Sequence, residues 1–229
     1  MNIDKPIAIL LQGPSVSELE DKIHLFKDRD WLWTSLNRFQ MMEDTILSKI
    51  GKELDIVYCS SRQRLSEEYE NVKRFLAREG TMFVTTTATV VDNPDLLDNT
   101  VGLVKSFDWG YGFNSLAAFL FILGKLGAKK VYLFGCDGHH SENQTYYQEE
   151  TYLEDIANGR LPKDRSVSFP YSAQARCIKS DSEYMNSIFW KYWEMIALRK
   201  EATTIVNVNP ESSITCFSKC SYEEVANGV

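Results

Sequence analysis

The chain has no CxxC pair, no long hydrophobic run, no excess of basic residues and only three histidines. Each shortage excludes something. Five cysteines (Cys59, Cys136, Cys177, Cys216 and Cys220) form an odd set without metal-finger spacing. Reduced thiols in a cytoplasmic protein fit that pattern better than a disulfide scaffold. No apolar segment approaches the roughly 20 residues that cross a bilayer. The first apolar run, Ile7 to Leu11, meets Gly13-Pro14 almost at once and reads as a strand rather than a signal peptide. A formal net charge of -7 removes the basic footprint of a nucleic-acid binder, while leaving room for a local basic pocket that takes one nucleotide. Repeats, low-complexity tracts and linkers are absent too, so residues 1–229 read as a single domain.

What is present is an alternation of short apolar runs with amphipathic segments. Strands are expected at Ile7–Leu11, Trp31–Leu36, Leu54–Cys59, Thr81–Thr85 with a Thr-rich continuation to Val91, Val101–Val104, Val131–Phe134 and Thr203–Asn207. Between them, helices are expected from Ser15 or Ser17 to Phe26, from Met42 to Ile50, from Glu67 to Arg78 and from Leu116 to Leu126. Ser141 to Ser180 is polar and tyrosine-bearing, the mark of a lid with a short helix near Glu149 to Ala157. Asp181 to Lys200 is a helix whose aromatic stripe suits a core or a homo-oligomer face. Strands alternating with helices define an α/β fold: a Rossmann-like, doubly wound, mostly parallel sheet, with 141–180 as lid or insert.

In such folds ligands bind beyond the carboxyl ends of the strands, and polar residues gather there. Gln12-Gly13-Pro14-Ser15 follows the first strand. Its backbone N–H groups suit an anion, and Gly13 would admit a ligand close to the backbone; equally, it is a plain turn, since neither Rossmann nor Walker spacing is met. After the second strand, Asn37 is placed to hydrogen-bond a base or ribose and Arg38 to face phosphate, or they are a capping Asn and a solvated Arg. Asn114 or Ser115 caps the apolar helix, and Gly135-Cys136-Asp137-Gly138 carries a carboxylate to the next strand end. Cys136, Asp137, His139 and His140 do not make a metal site: adjacent loop histidines rarely reach one ion, and no fourth ligand is in view.

At Gly13-Pro14-Ser15, Asn37-Arg38-Phe39, Phe113-Asn114-Ser115-Leu116 and Gly127-Ala-Lys-Lys-Val-Tyr-Leu-Phe-Gly-Cys-Asp137, the chain resembles the bacterial sialyltransferases of the Campylobacter lipooligosaccharide type. It also resembles the related DUF115 proteins, which include motility-associated glycosyltransferases and an archaeal 6-hydroxymethylpterin diphosphokinase. The resemblance implies a transferase using a nucleotide-activated sugar and a small-molecule or glycan acceptor. Gly13, Pro14, Ser15, Asn37, Arg38, Asn114, Ser115 and Asp137 would then line the nucleotide. Tyr146 and Tyr147 would assist departure of the phosphate, and His139 or His140 would take the acceptor's proton. Two positions depart from the family pattern. Leu11 stands where the turn has its first glycine, and Ala175 to Asp181 lacks the lid histidine. No cofactor is implied on the sialyltransferase side. The diphosphokinase side implies ATP with Mg²⁺ held by Asp137 and Asp92 or Asp95. A nucleotide- or sugar-binding protein without turnover is the remaining reading.

Overall fold

The computed structural model describes residues 3–60, 62–98, 100–107, 115–137 and 203–228; the expected lid and the helix expected over 181–200 lie outside them. Among the described residues, eight strands form one parallel sheet: Ile7–Leu10 (β1), Leu32–Leu36 (β2), Ile56–Tyr58 (β3), Met82–Thr86 (β4), Leu103–Phe107 (β5), Lys130–Phe134 (β6), Thr204–Asn207 (β7) and Ser218–Lys219 (β8). Their order is β5-β4-β3-β2-β1-β6-β7-β8. The helices are Val16–Lys22 (α1), Phe39–Thr45 (α2), Arg62–Leu76 (α3), Thr87–Asp92 (α4), Ser115–Lys125 (α5) and Tyr222–Ala226 (α6).

Side chains along each strand alternate between two apolar layers, as a period of two requires. Ala8, Leu10, Trp33, Val57, Phe83 and Phe134 face α1, α2, α3 and α6. Ile7, Ile9, Ile56, Tyr58, Val131 and Leu133 face α5. Because β1 is covered on both sides, all four of its residues are buried, which explains its unbroken apolar run. An isolated helix as short as α5 is marginal in water. Full burial of Phe119, Leu120, Ile122 and Leu123 decides the matter, since each such side chain contributes roughly 1.5–3 kcal/mol. Phe119 also stacks on Tyr58 across the layer, with ring centroids 5.2 Å apart.

Several local expectations change, among them the helix expected over Glu67–Arg78, which begins already at Arg62 and ends at Leu76. The Thr-rich run after β4 turns into α4, because Thr86 accepts the Thr89 N–H at 3.2 Å and caps a helix before the strand can continue. β5 begins at Leu103 rather than Val101 and pairs in full register with β4. α1 ends at Lys22 and tightens into a 3₁₀ turn over Ile23–Phe26. The second helix starts at Phe39 and passes into a 3₁₀ turn over Leu47–Ile50, stopped by Gly51 at φ 64°.

The amino edge of the sheet is tied by charge. Arg78 donates a two-pronged bond to Glu43 at 2.9 and 3.1 Å, and Asp55 accepts the Trp33 N–H at 2.7 Å. Burial pushes the Asp55 carboxyl above its ordinary 3.8, against the opposing pull of that hydrogen bond. The folded chain therefore holds this proton more tightly than the unfolded one. Its contribution to stability is full below the ordinary value and is lost as pH rises through the higher folded value. Asp55→Asn should consequently gain on the wild type as pH is raised from about 4 to about 7, read from urea midpoints. Parallel pH profiles for the two proteins would show that Asp55 is not held in a dry environment.

Candidate functional site

The strand order reverses between β1 and β6. β1 leads on to β2 and β3 in one direction, while β6 leads to β7 and β8 in the other, so a crevice opens beyond their carboxyl ends. Parallel crossovers start every following helix at this same edge. They gather Gly13–Ser15 after β1, Asn37 and Arg38 after β2, Ser115 at the start of α5, and Asp137 after β6. Asn114, His139, His140, Tyr146 and Tyr147 lie outside the described residues.

Asp137 faces the protein. Only 5% exposed, it accepts the Ser15 N–H on Oδ2 at 2.8 Å and the Ser15 hydroxyl on Oδ1. Asn209 donates Nδ2 to the same Oδ1 at 2.7 Å. Ser15 sits at the N-cap position of α1, yet its side chain makes no cap bond because the hydroxyl is committed to Asp137. The next amides close within the turn: Val16 on Gly13, Ser17 on Pro14 and Glu18 on Ser15, at 3.0–3.1 Å. The anion for which this turn is suited is thus the chain's own carboxylate. A phosphate finds none of these four N–H groups waiting.

Gly13 owes its place to the same close packing. Its N–H donates to the Gly135 carbonyl at 3.0 Å. A Cβ on it would run into that carbonyl and come within 2.6 Å of Asp137 Oδ2. What approaches the backbone here is β6's own turn.

Asn37 is different. It is the described non-glycine residue with a left-handed backbone, φ 57°, held there by its N–H on the Tyr58 carbonyl at 2.9 Å and by its own carbonyl on the Phe39 N–H at 2.8 Å. Its side-chain Oδ1 is buried and has no hydrogen-bond partner among the described residues. A buried acceptor left so costs on the order of 1–3 kcal/mol unless a donor from beyond the described residues satisfies it. Gln12 reaches across from the end of β1 to the Leu36 carbonyl at 3.4 Å, closing the crevice floor beside it. Arg38 and Ser115 are half-buried at the same edge.

The diphosphokinase-type cation site does not assemble. Asp137 is engaged by Ser15 and Asn209, and α4, which carries Asp92, packs on β4 and β5. From β4 to β6 is four strand spacings, roughly 19 Å at about 4.8 Å each, too far for Asp92 or Asp95 to share an ion with Asp137. Asp95 instead accepts the Tyr69 hydroxyl. No group of three or more metal-ligating side chains occurs among the described residues. Cys136 is buried beside Asp137 and burial drives its thiol far above the ordinary value, which leaves it unreactive.

The C-terminal segment is the part of the site that the sequence reading missed. Asn207 Nδ2 and Ser212 Oγ donate to the Cys136 carbonyl at 2.8 and 2.7 Å, and the Ser213 N–H donates to the Asp137 carbonyl at 2.8 Å. Tyr222 on α6 donates its hydroxyl to the Ser15 carbonyl at 3.0 Å. One signal was available: Ser221-Tyr-Glu-Glu224 is a capping box, and both of its reciprocal bonds form.

The fold is therefore a Rossmann-like α/β domain with its crevice at the β1/β6 switch point. No protein-family model matches the chain, and no curated protein matches it significantly. Among solved structures it is similar to the monofunctional alpha-2,3-sialyltransferase Cst-I from Campylobacter jejuni, with a TM-score of 0.56 and 14% identity over 93% of this chain and 80% of that one. At that identity the likeness is one of fold. It supports the sialyltransferase side of the resemblance to that extent and says nothing of the DUF115 side. No helix among the described residues is long and apolar enough to cross a membrane.

Proposed function

We propose that the chain is a nucleotide-dependent transferase, a glycosyltransferase that takes a nucleotide-activated sugar at the carboxyl edge of β1, β2 and β6. The observation that carries this is Asn37: a left-handed residue at a strand end whose buried Oδ1 has no partner among the described residues. A cytosine amino group or a ribose hydroxyl would supply the missing donor. Backbone outliers of this kind concentrate at ligand sites. The fold shared with a sialyltransferase supports the same reading.

On this proposal the turn of Gly13, Pro14 and Ser15 shapes the wall beside the nucleoside rather than cradling phosphate, because its amides are already occupied. Arg38 faces the phosphate, and Asn114 and Ser115 complete the opposite wall. Transfer breaks the bond between the sugar's anomeric carbon and the phosphate oxygen and makes a bond to an acceptor hydroxyl oxygen. The hydroxyl proton passes to His139 or His140, and the Tyr146 and Tyr147 phenols hydrogen-bond the departing phosphate.

Thermal shift with CMP, CDP, UDP, GDP and ATP, each with and without Mg²⁺, tests the pocket. A ligand at 100 times its dissociation constant stabilises by about 2.7 kcal/mol, a readable shift. Stabilisation by CMP without metal is expected. Asn37→Gly, which keeps the left-handed backbone while deleting the acceptor, should weaken CMP roughly ten-fold or more with the fold intact. Unchanged affinity would remove Asn37 from the pocket. Stabilisation by ATP that needs Mg²⁺ would favour the diphosphokinase reading. Tight CMP binding without turnover of any CMP-sugar would leave a binding protein.

A further inference from the structure

Ser15 gives all its polar groups to distant parts of the chain. Its N–H and hydroxyl go to Asp137, and its carbonyl accepts from Tyr222 as well as from the Glu18 N–H. Asn209 steadies the Asp137 carboxylate from behind, and its own Oδ1 is fixed by the Glu211 N–H at 2.9 Å. Tyr222 is held just as firmly. It is 2% exposed, stacks on Phe134 with ring centroids 5.9 Å apart, and lies under the Lys22 ammonium at 5.3 Å. Burial pushes its phenol far up, so the hydroxyl remains a donor at any physiological pH. α6 itself is pinned by the Lys22–Glu223 ion pair at 2.7 Å and by Arg29 on the Ala226 carbonyl.

We propose that Asn209 and Tyr222 are positioning residues: through Asp137 and Ser15 they fix the β1–α1 turn in the shape that a nucleotide meets. The proposal rests on the nucleotide reading of this edge. Neither residue touches the crevice in this account; each acts through the turn. Without Asn209, Asp137 Oδ1 loses one of the donors that set the angle of the carboxylate, and the seat on which the Ser15 N–H and hydroxyl rest shifts. Without the Tyr222 hydroxyl, the Ser15 carbonyl loses its tie to the C-terminal layer. A binding wall displaced by about 1 Å loses much of its complementarity.

The test uses the full chain and CMP. Tyr222→Phe and Asn209→Ala are compared with Val225→Ala, which removes a buried methyl pair from the same helix without touching Ser15 or Asp137. Calorimetry gives the CMP dissociation constant, urea titration gives stability, and hydrogen exchange follows the Ser15 amide in the free protein. The expected result is a Ser15 amide that exchanges roughly ten-fold faster and CMP binding about five- to ten-fold weaker in Tyr222→Phe and Asn209→Ala. Val225→Ala should lose comparable stability with its CMP affinity unchanged. Wild-type affinity in both test variants would overturn the proposal, as would an equal loss of affinity in Val225→Ala. A wild-type protein that binds none of the five nucleotides would overturn the nucleotide reading and this proposal together. Should Asn209→Ala fail to fold, Tyr222→Phe carries the test, since it deletes one oxygen.

Discussion

Asp137→Ala is expected to lower the stability of the chain by roughly 3–6 kcal/mol, from one buried and two half-buried donors left without an acceptor, the half-burial keeping the sum in the lower part of the range that about 1–3 kcal/mol each would give. Those donors are the Ser15 N–H, the Ser15 hydroxyl and Asn209 Nδ2. A typical domain has only about 5–15 kcal/mol in total, so the variant should sit near the edge of folding. Asp137→Asn should lose about half as much: one oxygen still accepts, while the new amide faces a donor it cannot satisfy. Urea midpoints measure both. The sign of the change separates two roles for this carboxylate. A residue kept for ligand or metal binding is a stability liability in the empty protein, and removing it is commonly neutral or stabilising. A clamp behaves the other way. A loss under about 1 kcal/mol in Asp137→Ala would return Asp137 to the ligand side and reopen the cation reading.

The sheet was legible because buried parallel strands declare themselves as unbroken apolar runs. Ile7 to Leu10 and Val131 to Phe134 need no tertiary information to be found, and in a doubly wound fold their ends must face the ligand crevice. The chain could not show the strand order, because β1 pairs with the nearby β2 on one side and, on the other, with β6, where Ile7 meets Val131 more than a hundred residues further on. Thr87 to Val91 misled for a related reason. Its β-branched composition favours a strand, and a single hydroxyl at Thr86 outweighs it by capping a helix. The site was half legible. Position at a strand end identified Gly13, Ser15, Asn37 and Asp137 correctly as neighbours of one edge. Which of them face a ligand is a matter of hydrogen-bond partners, and those come from Asn209 and Tyr222, far along the chain and unremarkable in type. Asp137 therefore looked like a ligand group, and the geometry instead spends both of its oxygens on the turn. Asn37 was marked by its place at a strand end and by the resemblance, while its orphaned oxygen is visible only in three dimensions.

Gly13→Ala should destabilise by about 3 kcal/mol or more, at the upper end of what overpacking a tight site costs. The new methyl would meet the Gly135 carbonyl, Asp137 Oδ2 at 2.6 Å and Asp137 Cγ at 2.9 Å. Neither neighbour can withdraw. The carbonyl holds the Gly13 N–H, and the carboxylate is bound from both sides by Ser15 and Asn209. Gly51→Ala gives the contrast. Gly51 has φ 64° with nothing within 4 Å of a built Cβ, so that variant bears only the left-handed cost of about 1–2 kcal/mol. Urea midpoints of the two variants then separate steric crowding from backbone conformation. A Gly13→Ala protein as stable as wild type that has lost CMP affinity would mean that a ligand, not β6's turn, fills the space beside Gly13. A large loss of stability before any ligand is added would mean that the glycine serves the β1–β6 junction, and that the crevice begins at Asn37.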